Sequence, residues 1–189
     1  MIKKEKKNKG KEKGDIIKEQ VLESYNKASV KYVGNSNSLH KLGLESKKLE
    51  DAATRQIKET LNLKDYDVIY TSGNSESMTT ILINTKGNIS TSSEELINIS
   101  KEMGININQD KVKYKHIDIK EKIIDDLNKY DFITLEDEIP GIGLLIKRKN
   151  IEIVPLIHGG KSTTKYRSGT APTPLIVSIS KLIKLKYKN

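Results

Sequence analysis

A short turn in the middle of the chain has the residue types of an anion-binding site. Residues 67–71 (DVIYT) favour a β-strand, and the run SGNS at 72–75 leads into a predicted helix at 76–83. A strand that ends in Ser-Gly and opens a helix presents free backbone N–H groups and the positive end of the helix dipole, which favour a phosphate. The same pattern is common as a simple helix cap, so the turn alone leaves both interpretations open.

A second segment, residues 158–170 (HGGKSTTKYRSGT), is rich in Gly, Ser and Thr and carries one arginine, Arg167. A loop of this kind can wrap an anion, although such loops are more often mobile connections. The composition therefore indicates a second candidate binding segment, and a plain connection remains the alternative.

The elements that must position these segments alternate between strands and helices. Apolar residues at four-residue spacing predict a helix from a cap at Asp15 to Tyr32 and a second at 42–61. Further strands are predicted at 88–91, 112–117, 131–135 and 142–146, and further helices at 93–103 and 119–130. A last helix is predicted after an N-cap at Thr173, with an apolar segment at 151–157 before it. This alternation predicts an α/β fold.

The composition indicates one globular domain. Its 189 residues are 35% hydrophobic and 31% charged, with a core that must rest on Ile, Leu and Val. We identify no secretory signal or membrane span, so the cytoplasm is the default location. The absence of cysteine from these residues excludes disulfides, thiolate metal sites and a sulfur nucleophile.

The net charge of +9 is concentrated at the start of the chain. Residues 1–14 hold seven lysines against Glu5 and Glu12, which leaves +4 for the remaining residues. A run so poor in apolar residues is predicted to be a disordered tail. It contains no aromatic residue or arginine for base stacking, so we favour a solvated tail over a nucleic-acid-binding arm.

Four motifs resemble the NifS/IscS-type cysteine desulfurases, which are class V aminotransferases dependent on pyridoxal phosphate. The family patterns are GNPSSLH, TSG-x-TES, KGIG before a strand, and HGGGQE-x-G-x-RSGT. In the same order, this chain has GNSNSLH at 34–40, TSGNSES at 71–77, GIG at 141–143 and the loop at 158–170.

The resemblance implies a fold and a cofactor site. It implies a shortened large domain of a fold-type-I pyridoxal-phosphate transferase over residues 15–189, with a mainly parallel sheet flanked by helices. The cofactor phosphate would be bound by Gly73, Asn74 and Ser75: Gly73 permits the sharp turn, and the other two supply amides and the Ser75 hydroxyl. Thr170 would reach the cofactor phosphate of a partner subunit, which implies a homodimer.

Other parts of the family's chemistry have no counterpart. The cofactor needs a lysine for its Schiff base, and desulfuration needs a thiolate. The family's lysine lies in SSHK-x-x-GPKG just before the GIG strand, where this chain reads TLEDEIPGIG at 134–143. That segment is either a shortened lysine loop or a splice from the family's earlier NNEIG motif. The splice would also delete the Asp that pairs with the pyridine nitrogen and the Gln at the ring oxygen.

The remaining ring-binding and catalytic groups are also missing. The family's ring-stacking His follows a Glu, and the nearest match here is the pair Glu94-Glu95. His116 is predicted on a strand surface, and the other two histidines occupy motif positions, so none is a candidate base. The family's catalytic Cys and its substrate-carboxylate Arg belong to a region with no counterpart in these residues.

Three lysines are alternative candidates for the Schiff base, but we expect all three to be solvated at the surface: Lys147, Lys161 and Lys165.

Four functions remain open. The first is a degenerate desulfurase homologue without desulfurase activity, or with no biochemical role. The second is an accessory partner that pairs with a complete desulfurase through the loop at 160–170. The third is an active enzyme that uses a different lysine, and the fourth is nucleic-acid binding through the basic tail.

Overall fold

The computed structural model describes residues 13–120, 126–135, 139–160 and 164–187. Its helices are α1 (Lys13–Lys31), α2 (Lys41–Thr60), α3 (Asn74–Thr85), α4 (Glu94–Glu102) and α5 (Thr173–Tyr187). Its strands are β1 (Tyr66–Thr71), β2 (Asn88–Ser90), β3 (Asn108–Ile117), β4 (Phe132–Leu135) and β5 (Gly143–Arg148). The predicted α/β class is confirmed.

The five strands form one sheet in the order β1-β5-β4-β3-β2. β5 is antiparallel to both of its neighbours, β1 and β4, whereas β3 is parallel to β4 and to β2. Four strands therefore run in one direction and β5 runs against them, in agreement with the predicted mainly parallel sheet. The register pairs Thr71 with Gly143 and Asp67 with Lys147, so the GIG motif meets the carboxyl end of β1.

Two hydrophobic layers cover the two faces of the sheet. One contains Leu144 and Ile146 of β5 with apolar residues of α2 and α5. The other contains Leu145 of β5 with apolar residues of α3 and α4. β4 and β5 are buried on both faces, which explains why their sequences are continuous apolar runs. α1 and α2 both pack on α5.

The connection from β5 to α5 crosses α3. Its described residues, 149–160 and 164–172, contain no regular helix or extended strand, and we call them the strap. Asn84, near the end of α3, binds Val154 of the strap by two hydrogen bonds of 2.7 and 3.0 Å. The apolar segment predicted at 151–157 belongs to the strap, and its Ile153 is buried in the α3 layer.

The structure corrects three boundaries. α1 begins at Lys13, before the predicted cap at Asp15, so it reaches two residues into the predicted tail; residues 1–12 lie outside the described part. The helix predicted at 119–130 does not reach Tyr130, because the described end of that range holds only a 3-10 helix, Leu127–Lys129, followed by extended backbone. Thr173 is the first residue of α5 rather than its N-cap: the Ile176 amide bonds to the Pro172 carbonyl.

No helix among the described residues is long and apolar enough to cross a membrane.

Candidate functional site

The turn between β1 and α3 has an uncapped helix start. Gly73 occupies the N-cap position and, having no side chain, makes no side-chain cap hydrogen bond to the first-turn amides. The Thr71 hydroxyl donates instead to the Gly73 carbonyl at 3.0 Å, which fixes the turn from the strand side. Asn74 is buried and Ser75 is exposed at the first two helical positions. The structure thus places all three predicted phosphate-binding residues at a helix N-terminus, where an anion is favoured.

Gly143 lets β5 approach this turn closely. A Cβ atom on Gly143 would lie 2.5 Å from the Gly73 carbonyl carbon and 2.6 Å from Thr71 Oγ1, closer than side-chain carbons come to other atoms. The second glycine of the GIG motif is therefore required by packing against the turn. The GIG motif and the TSGNSES motif, which each resemble a family pattern, are thus in direct contact.

A partly buried ion pair connects the strap to the first turn of α3. The Glu76 side chain is 7% exposed and accepts hydrogen bonds from Arg167 Nε at 3.1 Å and from the Ser72 amide at 2.7 Å. Burial alone would raise the pKa of Glu76, but the hydrogen bonds from Arg167 and Ser72 hold it below its ordinary value. Because a carboxylate of the chain itself binds Arg167, an anion at the turn must rely mainly on the helix terminus.

Thr170 lies beside the GNSNSLH turn. The Asn35 side-chain amide donates to Thr170 Oγ1 at 3.3 Å, and the Asn37 amide donates to Asn35 Oδ1 at 2.9 Å. His40 caps α2, because its Nδ1 accepts the Gly43 amide at 3.2 Å. Among the described residues, the strap thus makes two separate contacts near the predicted site residues: Arg167 with Glu76 of α3, and the exposed Thr170 with Asn35.

A polar pocket of about 360 Å³ opens at the carboxyl ends of β2 and β3. Two of its lining side chains, Tyr114 and His116, contact the buried Thr134, whose Oγ1 lies 2.6 Å from the Tyr114 hydroxyl and 2.9 Å from His116 Nδ1. Burial raises the pKa of the Tyr114 hydroxyl, so it stays protonated. His116 is therefore partly buried and bonded within a network, not a plain surface residue as predicted. The sequence held one signal for this: His116 lies two residues after Tyr114, so the two side chains are on the same face of the strand.

The lysines proposed as substitutes differ in their surroundings. Lys165 is exposed and pairs with Glu152 at 2.8 Å, as predicted for a surface lysine, whereas Lys161 lies outside the described residues. The surface expectation is wrong for Lys147, whose side chain is 0% exposed and whose Nζ donates to Asp67 Oδ2 at 2.9 Å. The β1–β5 register places Lys147 opposite Asp67 near the start of β1, about 13 Å along β5 from Gly143, which packs on the Gly73 turn.

Comparisons with known proteins agree with the motifs. The family model described as Aminotransferase class-V matches residues 16–141. The cysteine desulfurase IscS of Methanosarcina thermophila is 35% identical over 97 residues, which are 49% of this chain and 23% of that protein. IscS of Rickettsia rickettsii (strain Iowa) is 47% identical over 49 residues, 25% of this chain and 12% of that protein. The matched segments thus span less than a quarter of these curated relatives.

Solved structures show the same fold. A NifS-like protein from Rickettsia africae superposes with a TM-score of 0.75 at 20% identity, over 90% of this chain and 66% of that chain. A cysteine desulfurase from Thermococcus onnurineus superposes with a TM-score of 0.69 at 13% identity, over 88% and 63%. The predicted NifS/IscS-type resemblance is confirmed, and with the family model matching more than half of its length, this chain belongs to the class-V aminotransferase family.

Proposed function

We propose that the chain is a cysteine desulfurase-like protein without desulfurase activity that keeps an anion site at the start of α3. The observation that carries the proposal is the turn itself: Gly73 leaves α3 without a side-chain cap, and Gly143 packs directly against it. A phosphate, alone or as part of pyridoxal phosphate, fits such a terminus.

The phosphate end of pyridoxal phosphate fits the residues present better than its reactive end does. Gly73, Asn74 and Ser75 would hold the phosphate. Bound pyridoxal phosphate supplies an electron sink for amino-acid chemistry, but covalent attachment needs a nearby lysine amine. Lys147 is enclosed at the far end of β1 and hydrogen-bonded to Asp67, which argues against that role. The proposal therefore includes no reaction step through the cofactor.

The absence of cysteine supports the lack of desulfurase activity. Sulfur removal in this family requires a thiolate that attacks the substrate sulfur, and none of the 189 residues supplies one. The hydroxyls in and beside the turn belong to Thr71, Ser72, Ser75 and Ser77; Thr71 and Ser77 bond to each other at 2.7 Å. A hydroxyl is not a substitute for a persulfide-forming thiolate.

A phosphate titration followed by amide NMR tests the proposal. We expect the amides of Asn74 and Ser75 to shift with inorganic phosphate and with pyridoxal phosphate, at a dissociation constant of roughly 1 mM. The start of α4 is an internal control, because the Ser93 side chain caps it at Leu96. With pyridoxal phosphate and L-cysteine, we expect no sulfide above the free-cofactor background. Shifts confined to other residues would contradict the anion site, and sulfide release would contradict the inactivity.

A second candidate function, pairing with another chain, is favoured by one surface. Four apolar side chains are exposed around the turn between α1 and α2: Val30, Val33, Leu39 and Leu42. Asn35 and Thr170, the residue expected to face a partner subunit, are bonded to each other beside them. We propose that this surface pairs with a second copy or with a complete desulfurase.

A further inference from the structure

Lys147 is a charged side chain inside the hydrophobic layer between the sheet and α3. It faces this layer with Leu145 of the same strand, and Phe132 is its partner on β4. The ammonium donates to Asp67 Oδ2 at 2.9 Å and to the carbonyl oxygen of Arg148 at 3.2 Å. An ammonium without water requires such partners, and the site supplies them at the strand level.

The third contact of the ammonium comes from the strap. The ring centroid of Tyr166 lies 4.1 Å from Lys147 Nζ, within the range of a cation–π interaction. Tyr166 is itself buried, so water does not screen this contact. The ammonium thus lies between a carboxylate on β1 and an aromatic ring on the strap.

Tyr166 directly precedes the residue that connects the strap to the anion turn. Arg167 binds Glu76 in the first turn of α3, while the Ser168 amide donates to the Ile157 carbonyl at 3.1 Å within the strap. The other hydrogen-bonded contact of the strap with α3 described above, Asn84 with Val154, lies near the opposite end of that helix. The ring over Lys147 is therefore the contact best placed to fix the position of Arg167.

We infer that Lys147 is a positioning residue: by holding the ring of Tyr166, it sets where Arg167 meets Glu76 and thereby fixes the edge of the anion turn. An apolar side chain would suit a hydrophobic layer, and a buried ion pair is weak evidence for stability. The charge adds a directional contact, because the ring face must lie over the ammonium. The effect on ligand binding rests on the proposed anion site, but the effect on Arg167 does not.

The Arg167 Nε–H NMR signal tests this inference without any ligand. The chain has three arginines, and loss of one signal in Arg167→Lys assigns it. We expect Lys147→Met to remain folded, with a melting temperature equal to or above that of the wild type. We expect its Arg167 signal to shift and the Nε–H to exchange with water about tenfold faster. A tenfold change corresponds to the loss of one desolvated cation–π contact.

Two substitutions of Tyr166 supply the matched comparison, since both leave the Lys147–Asp67 pair in place. Tyr166→Phe keeps the ring and should preserve the Arg167 signal, whereas Tyr166→Leu should reproduce the effect of Lys147→Met. If Lys147→Met does not fold, the comparison of Tyr166→Phe with Tyr166→Leu tests the inference on its own. An unchanged Arg167 signal in Lys147→Met or Tyr166→Leu overturns the inference.

The phosphate titration separates this inference from the proposed function. Where wild-type Ser75 responds to phosphate, Lys147→Met should bind about threefold more weakly, because only the edge of the turn moves. If wild-type Ser75 does not respond, the anion site is refuted, and the Arg167 signal still decides whether Lys147 positions the strap.

Discussion

For Glu50, the sequence correctly predicted a position on a helix but did not predict its long-range contact. It lies on α2, is 4% exposed, and its Oε1 accepts the Thr173 hydroxyl at 2.5 Å. The sequence predicted Thr173 as a cap, because Thr before Pro at a helix start usually is one. The contact joins residues far apart in the chain, so local patterns carried no signal for it. The burial of Lys147 was missed for the same reason, because its contacts with Asp67 and Tyr166 join residues that no local pattern connects.

The stability of the protein should depend on pH through Glu50. Burial raises the pKa of Glu50 above its ordinary value of 4.5. Folding therefore favours the protonated form, and the stability it contributes is present below the unfolded-state pKa and lost as pH rises through the folded-state pKa. We expect Glu50→Gln to melt about 2–4 °C higher than the wild type at pH 8 and at the same temperature at pH 4.

Thermal unfolding by circular dichroism across this pH range measures the effect. Glu59→Gln is the matched control, because Glu59 lies on the exposed side of the same helix. A pH-independent difference between Glu50→Gln and the wild type would show that the Glu50 side chain stays ionised at little cost on folding.

At the scale of elements, short apolar segments bounded by turn residues located β1, α3, β2, α4 and β4 within about two residues. The strap was harder. Its residues 151–157 are apolar but form no strand, because they pack on α3 and do not pair with the sheet. Sequence patterns report burial more directly than they report pairing.

The contact between β5 and the turn predicts the effect of one methyl group. Gly143→Ala places a Cβ against backbone atoms of Gly73, so the turn or the strand must shift. We expect a loss of roughly 1–3 kcal/mol in the free energy of unfolding, measured in urea, together with weaker phosphate binding at Ser75.

Gly160→Ala is the control for Gly143→Ala, since no atom of the described residues, its chain neighbours aside, lies within 4 Å of its Cβ position. It should change the free energy of unfolding by less than about 0.5 kcal/mol. If Gly143→Ala were equally neutral, the close approach of β5 would not be what shapes the turn.

At the scale of the whole molecule, four motifs far apart in sequence are brought into pairwise contact by one sheet register and one strap. β5 carries GIG to the end of β1, and the strap carries Arg167 to α3 and Thr170 to Asn35. The motifs and their order are visible in the sequence, and the family resemblance predicted that they belong to one fold. The contacts between them depend on the antiparallel addition of β5 beside β1, which no local pattern specifies.

The same arrangement leaves an apolar surface next to Thr170, and it predicts self-association. Leu39 is 89% exposed, and Val33 is exposed across the same turn, which is costly unless another chain covers them. We expect sedimentation velocity to show a dimer for the wild type and a monomer for Leu39→Lys, because a buried lysine without a partner opposes the contact. Val154→Lys is the matched control, because it also replaces an exposed apolar side chain by lysine but lies on the strap; it should remain dimeric. A wild-type chain that stays monomeric at every concentration tested would refute the homodimer.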